Sequence, residues 1–339
     1  MKRAAVRRPA DRRARPGFAL PSVLFVTAMV TLVFLVAIEA LASLASETRR
    51  VKTSVAFEAD ALTLEARTAF VTATRPLGAT AALAGAGANA TPLLALDGRP
   101  YAAGPDLTVS AQDEAGLINI DNLPAPARPR LFAVMGVNPA DQAAMSDRLS
   151  DYMDVSDLKR PQGADAADYA RAGLPAPPKG LLVRRAQALG VLGWDPAVGP
   201  ARWRNFADNV TADPSSSDVN VNTATAATLE VLYGLTPAQA AAAIARRAVA
   251  PYAELEDLGR AAGLKLLSDA ERSYTMPNGR LALKVEDAAA GLAYRSRLIL
   301  SPDDPTRPFW VAEPSTSQLV PAQRAEVPAH APQFPDPAN

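Results

Sequence analysis

Cysteine is absent from this chain, and histidine occurs once, as His330 near the C-terminus. The first absence removes disulfides, thiolate metal sites and cysteine nucleophiles together. It does not exclude an oxidising compartment, because 339 residues can bury a core without covalent staples. The second leaves every central segment without the usual general base and the commonest metal ligand, so histidine-dependent triads and zinc sites fall away. Net charge is lacking too: 35 Lys and Arg balance 35 Asp and Glu, and no chain-wide positive field draws nucleic acid or acidic lipid. Aromatic residues make up only 6%, but 49% hydrophobic against 21% charged residues argues for ordered structure over most of the length.

The N-terminus carries the first positive signal. Lys2, Arg3, Arg7, Arg8, Arg12, Arg13 and Arg15 oppose a single Asp11, and no charge occurs from Pro16 to Ile38. As a helix, Phe18 to Ile38 runs about 32 Å at ~1.5 Å per residue, enough to cross a hydrocarbon core of ~30 Å. The positive cluster precedes the span, which keeps the leader cytoplasmic and delivers the chain beyond Glu39 to the periplasm, as a single-pass inner-membrane protein. An ordinary secretory signal has its small-residue cleavage site after the apolar stretch; here the small residue comes before it. Arg15-Pro16-Gly17-Phe18-Ala19-Leu20 resembles the type IV prepilin junction. That resemblance implies cleavage after Gly17 by a prepilin peptidase and methylation of the new N-terminal Phe18, with a plain uncleaved anchor as the alternative. Most pilins carry glutamate at the fifth mature position, where it neutralises the N-terminal ammonium of the subunit above. Here the position is Ser22, which implies a subunit with none above it, or simple loss of the residue in a degenerate pilin.

Val55, Leu62, Ala66 and Phe70 recur near helical spacing, so the anchor is expected to continue as an exposed helix until Arg75-Pro76 stops it. The Ala/Gly stretch Gly78 to Ala90 reads as a loop. Leu107 to Ser110 and Gly116 to Ile120 read as two short strands around Asp113-Glu114, and Arg280 to Glu286 with Tyr294 to Leu300 as a closing hairpin. Between Leu123 and about Tyr274 the pattern is helices punctuated by Pro and Gly: 129–136, 139–152, 181–190, 225–233 and 237–247. Ser301 to Asn339 is proline-rich without periodicity, so a disordered tail is expected. The fold class is therefore α+β: a transmembrane helix and a small antiparallel sheet with a large all-α domain, sterile-alpha-motif or helix-hairpin-helix in type, inserted between its strands. The boundaries are a leader at 1–17, an N-terminal helix at 18–75 with its membrane span at about 18–40, an α+β unit at 76–122 and 276–302, the insertion at 123–275 and a tail at 303–339.

Four motifs in order carry a resemblance to one family. They are Asp113-Glu114-Ala115-Gly116-Leu117-Ile118-Asn119-Ile120-Asp121; Leu149 to Asp157 with Gly163-Ala164-Asp165 and Tyr169; Leu181 to Gly190 with Leu192-Gly193; and Val219-Asn220-Val221-Asn222-Thr223-Ala224 continuing through Arg246, Arg247, Pro251-Tyr252 and Leu258. Over roughly residues 17 to 300 the chain resembles the K-type minor pseudopilins of the bacterial type II secretion system. It departs from them at Tyr152, where tryptophan is frequent, and at Asp165, where glutamate is. The resemblance implies a non-enzymatic subunit at the tip of the pseudopilus. It would start assembly with the I-type and J-type minor pseudopilins on an inner-membrane assembly platform, for export of folded proteins across the outer membrane.

Asn220 and Asn222 read as caps at a helix start, or as ligand contacts. Asp151, Asp154 and Asp157 are candidate calcium ligands, because oxygen donors suit that ion; a solvated acidic segment is the alternative. No other cofactor is implied, and no base or nucleophile accompanies the three carboxylates, so catalysis is not expected. Val219 to Gly259 also resembles the helix-hairpin-helix of a membrane-anchored DNA receptor. Against that reading, Gly234-Leu235-Thr236 lacks the second glycine of a phosphate-binding turn. Between Asn220 and Tyr274, Glu230, Glu254, Glu256, Asp257, Asp269 and Glu271 also outnumber Arg246, Arg247, Arg260, Lys265 and Arg272.

Overall fold

The computed structural model describes residues 19–85, 87–156, 158–268, 272–301, 303–319, 328 and 330–336. The expected leader with Gly17, together with Phe18 and Asp157, lies outside them. The chain divides after Ala56 into two units. The first is the N-terminal part of helix α1 (Ala19–Thr74), exposed from Leu20 to Thr53 and apolar enough over its early turns to cross a membrane. Thr27 and Thr31 donate their hydroxyls to the carbonyls of Val23 and Thr27, both at 2.8 Å, so neither carries an unpaired polar group into the apolar stretch.

In the second unit α1 is half buried, on a different face from the one its apolar spacing marks. Leu62, Ala66 and Phe70 are exposed or half-exposed, whereas Phe57, Ala61, Leu64, Thr68 and Val71 are buried. The buried stripe reads weakly in the sequence because alanine and threonine hold key places. Thr68 and Thr72 are admitted because their hydroxyls donate to the Leu64 and Thr68 carbonyls at 2.8 Å. The helix ends at Thr74, before Arg75-Pro76, as proline requires.

The stretch read as a loop instead forms strand β1 (Ala81–Ala84), paired antiparallel with β2 (Thr91–Ala95). Strands β3 (Tyr101–Ala102) and β4 (Leu107–Asp113) come after them. The insertion comes next: β5 (Ile118–Asn119), α2 (Arg128–Val134), α3 (Pro139–Met153), α4 (Ala166–Arg171), α5 (Trp194–Ala197), α6 (Gly199–Phe206), β6 (Val210–Thr211), α7 (Ala226–Tyr233), α8 (Pro237–Val249) and α9 (Leu255–Ala262). The chain then returns in β7 (Arg280–Asp287), β8 (Leu292–Leu300) and β9 (Phe309–Gln318). The main sheet is antiparallel in the order β3-β4-β7-β8-β9.

β4 and β7 are neighbours, with Asp113 opposite Leu281, so the insertion occupies 114–279 and starts earlier than the expected 123. Gly116 to Ile120 is not the second strand of a hairpin. Asp113 accepts the Ala115 N–H and caps a turn at Glu114–Gly116, and β5 then pairs in parallel with β6 inside the insertion. The helices start where caps place them: Asn138 accepts the Ala140 N–H, Thr225 that of Thr228, and Thr236 that of Gln239. The segment expected as a helix at 181–190 is a 3₁₀ turn at Arg185–Gly190.

One core of the insertion gathers around Trp194, edge-on to Phe132 and Trp203 with ring centres at 6.0 and 5.3 Å. A second lies among α7, α8 and α9 around Leu229, Tyr252 and Leu258. A third joins the sheet to the C-terminal turns of α1.

The expected disordered tail is corrected over its described residues. β9 pairs with β8 along its length, and near the C-terminus Gln333 bridges Ala102 of β3 at the opposite edge of the sheet. Proline content hid the strand. Pro314 sits on an edge, at a bulge where Glu313 and Pro314 oppose Ser296, and there a missing N–H costs no ladder bond. Residues 302, 320–327, 329 and 337–339 lie outside the described part.

Candidate assembly interface

Helix α1 exposes apolar residues along most of its length. Its early turns present Leu24, Phe25, Val33 and Phe34, and its later ones Val51, Val55, Leu62 and Phe70, all exposed. Scattered apolar residues are ordinary, but a helix exposing them turn after turn is an association surface for lipid or for other helices. Ser22 lies in the first turns, among the exposed residues.

The aspartate-aromatic-aspartate and Gly-Ala-acid motifs fold into one knot. Asp151, at the end of α3 and 5% exposed, accepts the Arg160 guanidinium at 2.6 Å and the N–H groups of Arg160 and Ala164 at 3.1 Å. Gly163 is required because a Cβ there would lie 1.7 Å from an Asp151 carboxylate oxygen. Asp165 caps α4 in a reciprocal box with Asp168, and this sets Tyr169 beside Tyr152, with ring centres at 6.0 Å. The Tyr169 hydroxyl accepts the Leu192 N–H at 2.9 Å; burial pushes its pKa up to about 12. Asp154 shares Arg160 at 3.2 Å, and bonds from Ser156 hold its carboxyl below the usual range. Two of the three candidate calcium ligands thus converge on a guanidinium, which occupies the position a cation would take. Among the described residues no group of three or more His, Asp or Glu side chains is placed to hold a metal.

The entry motif is a buried junction. Asp113, fully buried, accepts the Thr223 hydroxyl at 2.8 Å and the Asn220 amide at 2.9 Å. Burial pushes its carboxyl up to about 6 against these bonds. Asn222 donates to the Tyr252 carbonyl at 2.9 Å and accepts the Tyr252 N–H at 2.8 Å. Asn220 and Asn222 are therefore cross-links between distant segments; the cap of α7 is Thr225. Gly116 admits the Thr223 backbone, whose carbonyl oxygen would lie 2.5 Å from a Cβ.

Beside this junction Arg297 of β8 grips Glu114 through two bonds of 2.6 Å. Burial alone lowers the guanidinium's affinity for its proton, but Glu114 and the nearby Glu313 and Asp213 reverse this and raise it above the ordinary value. Asp208 collects Arg295 at 3.2 Å, Arg185 at 3.5 Å and Lys284 at 3.9 Å. A cavity of about 440 Å³ lies along this seam; its charged lining is paired within itself except for Asp97, which is held by Arg99 outside it. The arrangement is a latch between insertion and sheet. Neither Arg297 nor Asp208 stands out in the sequence, because their partners are far away along the chain.

Residues 106–202 match the family described as type II secretion system (T2SS), protein K. This segment holds β4, the entry junction, the Asp151 knot and the Trp194 core. A chain of the crystal structure of the GspK-GspI-GspJ complex from the enterotoxigenic Escherichia coli type 2 secretion system has a similar fold. The TM-score is 0.52 at 14% identity, covering 81% of this chain and 98% of that one. A search of curated protein sequences finds no match. The fold is thus α+β and protein K-like, with the apolar helix ahead of it.

Beyond the segment that matches protein K, residues 214–267 match a helix-hairpin-helix motif. Its first turn closes with Gly234 at φ 69°, a left-handed position that favours glycine. The Arg130 side chain lies against that turn, donating to the Leu232 carbonyl at 3.2 Å. The Thr236 N–H donates to the Gln239 side chain at 2.9 Å, so the amide a phosphate would need is already bonded. At the second turn Ala253 and Glu254 direct their N–H groups to the Asp257 carboxylate at 3.0 and 3.3 Å.

Proposed function

We propose that this chain is the K-type minor pseudopilin of a type II secretion system, a structural rather than a catalytic subunit. It would be anchored once in the inner membrane with its bulk in the periplasm, and processed by prepilin peptidase after Gly17. The observation that carries the reading is a segment matching protein K that leads from β4 into a helical insertion closed by the neighbouring β7, on a small sheet whose packing helix runs on, exposed and apolar, through a membrane's thickness. Supporting it, the fold relative comes from a structure in which GspK stands with GspI and GspJ. I-type and J-type minor pseudopilins are the expected partners of this chain, joined through the exposed α1 face. The trio would start and cap the pseudopilus.

Co-expression of the full chain with an I-type and a J-type minor pseudopilin tests this. A ternary complex should survive purification in detergent, and Leu62→Asp with Phe70→Asp should weaken it. A chain that purifies alone beside both partners would overturn the reading.

The helix-hairpin-helix match keeps a DNA receptor as the second reading. Its turn amides are bonded to Gln239 and Asp257 side chains, and the segment carries more acid than base, which disfavours phosphate contact. Filter binding of the full chain to duplex DNA at low salt separates the two readings. Retention that falls steeply with salt would favour the receptor.

A further inference from the structure

The segment at 332–335 lies against the outer edge of β3 as a strand. The Ala102 N–H donates to the Pro332 carbonyl and the Phe334 N–H to the Ala102 carbonyl, both at 2.8 Å. Phe334 is buried, edge-on to Tyr101 with ring centres 6.4 Å apart. The Arg67 guanidinium sits 5.0 Å over the Phe334 ring and donates to the Pro335 carbonyl at 3.0 Å. Main-chain bonds along an edge plus one filled side-chain pocket are the way extended peptides are recognised by strand addition.

Two walls of the pocket are fixed by something other than the segment itself, and the third is carried by a helix. The Tyr101 hydroxyl accepts the Ala95 N–H at 2.7 Å, Ala102 pairs with Thr108 of β4, and Arg67 stands on α1. Proline at 335 gives the segment a second property: it removes one donor from the side that faces away from β3.

We propose that residues 332–335 are a plug in a preformed peptide groove made by β3, Tyr101 and Arg67, and that the groove takes an extended peptide carrying Phe-Pro in trans when the plug is absent. The occupant in the intact chain is its own C-terminal segment. A tethered plug acts at an effective concentration on the order of millimolar, so a free peptide competes poorly until the tether is cut. This inference does not depend on the secretion reading.

The test uses the full chain in detergent, intact and truncated after Ala331, with a fluorescent peptide of the sequence of residues 331–336. Anisotropy should show binding to the truncated chain, at least tenfold weaker binding to the intact chain, and at least tenfold weaker binding when Phe334 is alanine in the peptide or Arg67→Ala is in the truncated chain. Equal binding to both chains overturns the proposal, as does no binding to a truncated chain that still melts cooperatively. Should truncation prevent folding, intact Phe334→Ala replaces it: this variant must bind the peptide at least tenfold more tightly than the intact parent, and failure to do so overturns the proposal.

Discussion

Asp113 keeps its proton up to about pH 6 in the fold because burial opposes the charge, whereas in the unfolded chain it ionises near its ordinary 3.8. Asp121 is pushed up to about 6 by burial in the same way. Between pH ~4 and ~6 the folded state therefore binds more protons than the unfolded state, and stability falls as pH rises through this window. Carboxyls held low, such as Asp168 at about 2, lose their contribution only below pH ~4 and do not mask the effect. Thermal unfolding should show a melting temperature that declines from pH 4.5 to 6.5, with the decline reduced in Asp113→Asn; a melting temperature that rises over that range in the parent would contradict this. At the Asp151 knot, Arg160→Met should cost about 2 kcal/mol, since a buried carboxylate is left with backbone donors only. Because the guanidinium holds the position a cation needs, millimolar calcium should raise the melting temperature of the variant and leave the parent unchanged. An equal rise in both would mean that calcium binds elsewhere.

At the scale of elements, α1 shows how far sequence reading carries and where it stops. Its length, its uncharged start and its end at Arg75-Pro76 are legible, because charge and proline act locally. Its buried face is not, because small and hydroxyl residues line the sheet while the larger Leu62 and Phe70 face outward. Helices α3, α7 and α8 are legible from the Pro and Gly that punctuate them, and β9 is obscured by prolines that only an edge strand tolerates. Asn220 and Asn222 are legible as structural residues but not as cross-links, since Asp113 and Tyr252 become their neighbours only in the fold. For α1 itself the processing prediction is direct. Co-expression with a prepilin peptidase should shorten the chain to an N-terminal Phe18, read by mass spectrometry, and Gly17→Val should block it. Cleavage near residue 40 would instead mark an ordinary signal sequence.

For the whole molecule, the proposed pseudopilin role makes Ser22 and the insertion two arguments for one place in a filament. Serine offers no carboxylate to a subunit above, and an insertion at 114–279 measures some tens of Å across by compact-domain scaling, more than a filament's rise per subunit accommodates. Antibody labelling of assembled pseudopili should mark one end only, at about one copy per filament, and Ser22→Glu should not turn the chain into a shaft subunit. Regularly spaced label along the shaft would sink this assignment.

The placement of the insertion also governs how the sheet can form at all. Asp113 and Leu281 face each other across β4 and β7, yet a disordered chain must close a loop spanning the whole insertion to bring them together, at an entropic cost that grows with loop length. Once its own cores have formed, the insertion holds the ends of these strands together through Asp113, Asn220 and Asn278, and the loop left to close is short. Mutations in the Trp194 core, which includes no residue of the main sheet, should therefore slow sheet formation as well as weaken the helices, and the Asp113 junction is where the two processes meet.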